Sequence, residues 1–245
     1  DGTVSVTSRV TDQAGNAGTL STVSTVTVDR SAPTATTITS VPENAGGGIN
    51  SSEASNGTTV NVSISGTGAV AGDTLTVNWG AQAVTYTLTA ADITAGTAAV
   101  TVPAATIVAQ GDGTVSVTSR VTDQAGNAGT LSAVSTVTVD RSAPSTPGVS
   151  LSSDTGTSGS DGITSSGVLS LTGIESGATV QYSTDGGTTW TSSFSAAEGS
   201  NTVKVRQTDV AGNTSTVGTL TFTLDTTAST PGVSLSSDTG TSGSD

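Results

Sequence analysis

Residues 1–33 recur at 112–144 with a single change, Thr22 against Ala133, and residues 145–161 recur unchanged at 229–245. Repetition on this scale constrains the fold more than any other feature, because each copy has to be a small unit packing on its neighbours rather than a share of one large core. The offsets are 111 residues for the first pair and 84 for the second, so two repeat lengths coexist. The parse that follows is the C-terminal part of a long repeat (1–30), a complete long repeat (31–141), a complete short repeat (142–226) and the N-terminal part of a further short repeat (227–245). Both ends read as cuts through a longer tandem array.

Within each copy the same text organises the chain. Val121-Thr122-Asp123-Gln124-Ala125-Gly126-Asn127 leads, after one more strand, to Val137-Thr138-Val139-Asp140-Arg141-Ser142-Ala143-Pro144; Asp12 to Asn16 lead likewise to Asp29, and Asp209 to Asn213 to Asp225. Each reads as a polar turn between strands of alternating apolar and polar residues, followed by an acidic linker. Val60, Val62 and Ile64 alternate as a strand, and Leu75, Val77 and Trp79 turn through Gly80-Ala81 into Val84, Tyr86 and Leu88, a hairpin expected to bury an aromatic pair. Leu88 to Ala95 reads as a polar turn capped by Thr89, Ala104 to Ala109 as a single helical turn, and Gly46 to Glu53 as a loop. The short repeat offers Val149 and Leu151, Leu169 and Leu171, Val180 and Tyr182, a hairpin at Asp185-Gly186, then Val203 and Val205, and Leu220, Phe222 and Leu224. Strands at eight- to twelve-residue spacing are the pattern of an all-β, immunoglobulin-like Greek-key sandwich, here expected as tandem sandwiches arranged end to end.

Composition agrees. With 31 Gly, no Cys, no Met, no His and two each of Trp, Tyr and Phe, the chain can bury apolar surface only in thin, β-branched layers. A net charge of −13 with little apolar residue also fits disorder, but valine at every second position in run after run favours strands. Nineteen acids against six bases leave no basic stripe for nucleic acid and none for an anionic membrane surface. No run is long enough to span a bilayer. Catalysis finds little footing: there is no His or Cys, and Lys204 has no Ser-x-x-Lys context.

The Thr-Asp-x-Ala-Gly-Asn turns, the Val-Asp-x-Ser/Thr-Ala-Pro linker, the loop from Gly47 to Glu53 and the stretch from Tyr182 to Trp190 resemble bacterial immunoglobulin-like repeats of giant adhesins and biofilm-associated proteins, many exported by type I secretion. The resemblance covers the whole chain. It implies structural modules of an extracellular rod on a bacterial cell surface, not an enzyme, stiffened by Ca²⁺ at domain junctions.

Residue chemistry reaches calcium separately. If each turn Asp and the following linker Asp lie at one pole of a sandwich beside the next repeat, carboxylates meet there. The first set is Asp12, Asp29, Asn50 and Glu53; the second Asp123, Asp140, Asp154 and Asp161; the third Asp209, Asp225, Asp238 and Asp245. Two carboxylates about 5 Å apart repel by roughly 3 kcal/mol at an effective dielectric near 20. Ca²⁺ accepts six to eight oxygens and reverses that sign, whereas no imidazole or thiolate is present for zinc, copper or iron. The same Asp residues also make good turn chemistry without any metal. Trp79 and Trp190 read as packing residues ahead of sugar platforms, and the Asn-x-Ser/Thr sequons at Asn50, Asn56, Asn61 and Asn213 as chance in Ser/Thr-rich text. Two functions remain: extender modules whose partners are the neighbouring repeats of the same chain, and a self-assembling matrix, sheath or filament in which copies associate side to side. A carbohydrate-binding module is a third, dependent on an exposed aromatic platform.

Overall fold

The computed structural model describes residues 1–234, 236 and 237. The chain divides into two units, Asp1–Ala143 with Asp209–Asn213, and Pro144–Thr208 with Thr214–Asp245.

The first unit opens with an antiparallel hairpin, β1 (Gly2–Val6) and β2 (Ser24–Val28), registered Gly2 to Val28 and Val6 to Ser24. A sandwich of seven antiparallel strands follows: β3 (Thr37–Ser40), β4 (Thr58–Ser63), β5 (Thr74–Trp79), β6 (Gln82–Thr87), β7 (Thr97–Val102), β8 (Gly113–Thr122) and β9 (Ser135–Val139). One sheet has the order β3-β4-β7 and the other β6-β5-β8-β9. Strict alternation sets the core. Val60, Val62, Val100 and Val102 face Leu75, Val77, Trp79, Val117 and Val121, all at most 1% exposed, while their sequence neighbours look outward. Each such burial stabilises by about 1.5–3 kcal/mol.

Three short α-helices ride on this sandwich, α1 (Ser51–Asn56), α2 (Ala90–Ala95) and α3 (Ala104–Gln110), besides a 3-10 turn at Pro42–Gly46. Helices of six or seven residues do not stand alone in water; α1 and α3 are held by burying Ala54 and Ile107, and caps start α1 and α2. At α2, Asp92 N–H donates to Thr89 Oγ1 and Thr89 N–H to Asp92 Oδ2, so the expected Thr89 cap opens a helix rather than a turn. At α1, Glu53 N–H donates to Asn50 Oδ1 and Asn50 N–H to Glu53 Oε2, both at 3.0 Å. The loop expected from Gly46 to Glu53 gives way to helix at Ser51, because Asn-Ser-Ser-Glu is a reciprocal cap. The β5–β6 hairpin forms, but not its aromatic pair: the register sets Trp79 opposite Gln82 and Tyr86 opposite Leu75, at opposite ends of the ladder. Trp79 is fully buried, and the half-buried Tyr86 donates its hydroxyl to Asp92 Oδ2 at 3.0 Å.

The second unit contains β10 (Gly148–Leu151), β11 (Ile163–Thr164), β12 (Leu169–Thr172), β13 (Thr179–Ser183), β14 (Gly199–Thr208) and β15 (Gly218–Leu224). β10 pairs with β12, and the second sheet runs β11-β15-β14-β13 with β11 parallel to β15. Val203, Val205 and Phe222 are buried, and Phe194 packs edge-on to Phe222 and stacks on Tyr182. Gln207, 0% exposed, is tied by its amide to Ser145 O, Gly173 O and Glu175 N–H, each at 2.8 Å. Asp185-Gly186 does not make a two-residue hairpin. The chain from Ser183 to Trp190 is a wider loop closed by the Tyr182–Thr191 bridge, because the Asp185 carboxylate accepts the N–H groups of Thr188 and Thr189 and the hydroxyls of Ser183 and Thr189. Trp190 lies under the Arg206 guanidinium, 4.1 Å from its carbon, as a packing residue.

Candidate functional site

The three Asp-x-Ala-Gly-Asn turns share one geometry. Asn16 N–H donates to Asp12 Oδ1, Asn127 N–H to Asp123 Oδ1 and Asn213 N–H to Asp209 Oδ1, each at 2.8 Å, while each Asn side-chain amide donates to the other oxygen of the same carboxylate. Hydrogen bonds from the Asn side chain, then from backbone N–H groups, hold the Asp12 and Asp123 carboxyls below the usual carboxylate range. The linker acids also share a geometry: Asp29, Asp140 and Asp225 each accept, through Oδ1, the N–H two residues on, at 3.0 or 3.1 Å.

Strand pairing separates each turn acid from the linker acid expected beside it. Gly113 pairs with Val139 at one end of β8, and Thr122 bridges to Ala128 at the other end of that strand. Asp140 therefore lies at the first end and Asp123 at the second, ten strand residues or about 30 Å away. The same registers part Asp12 from Asp29 and Asp209 from Asp225. A turn joining antiparallel strands must sit opposite their outer ends, which corrects the expected grouping.

What meets Asp123 is the linker preceding its own sandwich. Asn127 Nδ2 donates to Asp29 O at 3.1 Å, and Asp29, Asp73 and Asp123 line a cavity of about 350 Å³ together with Ser31, Thr67 and Gln124. Asp73, at the start of β5, is 1% exposed. Its Oδ2 accepts Val70 N–H at 2.9 Å, but its buried Oδ1 has no partner. Asp73 was not among the expected ligands. The signal was available, since residue 73 has the inward parity of Leu75, Val77 and Trp79. Among the described residues no three acids already stand close enough to grip an ion.

Asn50 and Glu53, expected with Asp12 and Asp29, lie instead next to Asp140: Asp140 N–H donates to Ile49 O at 3.0 Å and Ile49 N–H to Thr138 O at 2.8 Å. Both side chains serve the α1 cap. Residues Asp209–Asn213 group with this first unit; Ser51 N–H donates to Asn213 Oδ1, Asn50 Nδ2 to Ala211 O and Asn213 Nδ2 to Asp140 O. In the second unit Asp154 Oδ2 accepts Gly162 N–H, Asp161 Oδ1 accepts Ile163 N–H, and Asp225 N–H donates to Thr164 O. Asp154 and Asp161 thus neighbour the linker acid Asp225. Asp238 and Asp245 lie outside the described residues. Sequence reading also passed over Asp112, whose carboxyl is held low chiefly by the Arg141 guanidinium, 2.6 Å away.

Residues 142–226 match the bacterial Ig-like domain family. Three solved structures are similar. A Ca²⁺-stabilized adhesin that helps an Antarctic bacterium reach out and bind ice is 28% identical over 94% of this chain, which spans 58% of that one, with a TM-score of 0.48. A 1.5-MDa bacterial ice-binding adhesin is 25% identical over 89% of this chain and 72% of its own, with a TM-score of 0.40. The fibronectin(III)-like modules of Clostridium thermocellum CbhA are 16% identical over 82% of this chain and 100% of theirs, with a TM-score of 0.37. No curated protein sequence matches the chain.

Proposed function

We propose, from the premise that residues 142–226 are a bacterial Ig-like domain, that this chain is a run of extender modules from a bacterial surface or secreted adhesin, and that Ca²⁺ stiffens the linker leading into each long repeat. One observation carries the metal reading: Asp73, whose buried Oδ1 has no partner, lines a cavity together with Asp29 and Asp123. An orphaned buried acceptor costs about 1–3 kcal/mol, and an oxygen-seeking cation is the ligand that removes the cost. The donor set fits. Three carboxylates, backbone carbonyls and water are what Ca²⁺ accepts, and the absence of His and Cys from the sequence disfavours softer metals.

Asp73 and Asp123 belong to the sandwich, and Asp29 belongs to the chain that precedes it. A cation bridging the three turns a flexible linker into a fixed one, and in a protein without cysteine it fills the place that disulfides take in other extracellular modules. The short repeat is built differently. Thr74 pairs with Thr122 and Thr179 with Thr208, so the position of Asp73 is taken by Ala178. One cation site at Asp73 per long repeat is the expected stoichiometry; the short repeat has its own buried unpartnered carboxylate oxygen, Asp154 Oδ1, at a different place in the fold.

Isothermal titration of the metal-free chain with CaCl₂ tests this. The expected result is one tight saturable event, absent in Asp73→Asn, with a rise in melting temperature in the parent only. Saturable binding unchanged by Asp73→Asn would move the ion elsewhere. No heat and no thermal shift with millimolar Ca²⁺ would remove calcium from the account and leave the extender reading on the Ig-like match alone.

A further inference from the structure

The two sandwiches differ in their strand complement, and one of the differences leaves a strand edge open. In the long sandwich β4 has partners on both edges, β3 on one and β7 on the other. In the short sandwich β12 is the counterpart of β4, since it pairs with β10 as β4 pairs with β3. Among the described residues its other edge has no ladder partner. Ser152 N–H donates to Val168 O at 2.9 Å, which fixes the alternation: residues 168, 170 and 172 bond towards β10, and the N–H and C=O groups of Leu169 and Leu171 point the other way.

Beside that edge lies a cleft of about 550 Å³, lined by Val168, Leu169, Tyr182, Phe194 and Leu224 with three serines and no charged residue, and walled by residues 192–196, of which Ala196 packs against Gly167. The edge carries no lysine, proline or bulge of the kind that guards exposed strands. The long sandwich shows what fills this position. β7 reads Thr-Ala-Ala-Val-Thr-Val, with Ala98, Val100 and Val102 buried and the alternate residues facing water.

From this comparison we infer that the short repeat is a strand-accepting module, whose β12 edge and aromatic cleft take an extended, uncharged peptide with small or β-branched apolar side chains at alternate positions. The incoming backbone hydrogen-bonds Leu169 and Leu171, and its apolar side chains enter the cleft against Phe194 and Tyr182, the mode of strand addition to a sheet edge. The ladder supplies affinity and the uncharged cleft rejects charged segments. None of this depends on a metal ion.

The experiment uses the intact chain, isotope-labelled, and the synthetic peptide Gly-Thr-Ala-Ala-Val-Thr-Val-Pro, which copies residues 96–103. Saturable shifts at the Leu169 and Leu171 amides and the Phe194 ring are expected, with amide exchange at those two residues slowed at least about tenfold on saturation. A peptide carrying Val100→Asp should lose binding, and so should the chain variant Val168→Asp, a change at a residue already 61% exposed and so tolerated by the fold. Either of two results overturns the inference in favour of a closed edge or non-specific contact: slow exchange at Leu169 and Leu171 in the free chain at all concentrations, or peptide shifts that survive Val168→Asp. Protection that grows with chain concentration and needs no peptide overturns it too, and assigns the edge to a second copy of the chain.

Discussion

Asp73 is aimed inward by strand parity and left unsatisfied by burial. Replacing it with Asn keeps the acceptor for Val70 N–H and exchanges the orphaned carboxylate oxygen for part of a neutral amide, so Asp73→Asn should raise metal-free stability by about 1–2 kcal/mol. Equilibrium urea unfolding in excess chelator checks this, and a loss of stability would contradict the orphaned-oxygen account. The Tyr86–Asp92 pair makes a prediction with two limbs. Hydrogen bonds, first from the Thr89 hydroxyl, lower the Asp92 carboxyl, while the bond to Asp92 raises the Tyr86 phenol. A lowered carboxyl contributes stability that is complete above its unfolded pKa near 3.8 and disappears as pH drops through the folded value; a raised phenol contributes below its unfolded value near 10 and is lost as pH climbs past that. Melting temperature should therefore hold between pH 5 and 9, give or take about half a unit, and decline on both sides. Tyr86→Phe should flatten the alkaline decline and weaken the acid decline only slightly, because the Thr89 hydroxyl is the first cause of the lowered Asp92 carboxyl and Tyr86 a lesser one, as a pH series of thermal scans would reveal.

At the scale of elements, the reciprocal cap of α1 decides whether residues 51–56 are helix or loop. Asn50→Ala removes the acceptor for Glu53 N–H and should cost about 1 kcal/mol, within the usual 0.5–2 kcal/mol for a cap. Gly57 ends this helix with φ near +85°, and a Cβ there would sit 2.7 Å from Val102 O. Gly57→Ala should thus destabilise by more than the cap variant, since both the backbone conformation and the space are wrong for a side chain. Paired denaturation curves give the ranking, and equal costs would mean that α1 shifts to accommodate the methyl. Much at this scale was legible beforehand. The β4, β5, β7 and β8 strands follow from alternation alone, and the α2 cap from Thr89. The α1 helix is less legible, because Asn50 and Glu53 carry oxygens that suit a metal as well as the spacing of a cap. The Asp185 loop departs from the expected hairpin because a carboxylate gathering several donors outweighs the Asp-Gly preference for a tight turn.

For the whole molecule, the two tryptophans lie one in each unit, Trp79 fully buried in the first and Trp190 under Arg206 in the second. Trp79→Ala should cost about 3–5 kcal/mol in the long sandwich and leave the transition reported by Trp190 fluorescence in place; a shift of both transitions together would show that the units unfold as one. The sequence by itself determined the repeated text, the all-β class, the alternating core and the oxygen-only donor chemistry, because each of these follows from residue order and from the two-residue period of a strand. It did not determine which acids meet. That depends on the ends at which strands enter and leave their ladders, so only the tertiary structure moved Asp123 from Asp140 to Asp29, set Asn50 and Glu53 to capping, and brought Asp73 into the cavity. Partnership between distant side chains is a property of register and topology, and no local pattern encodes it.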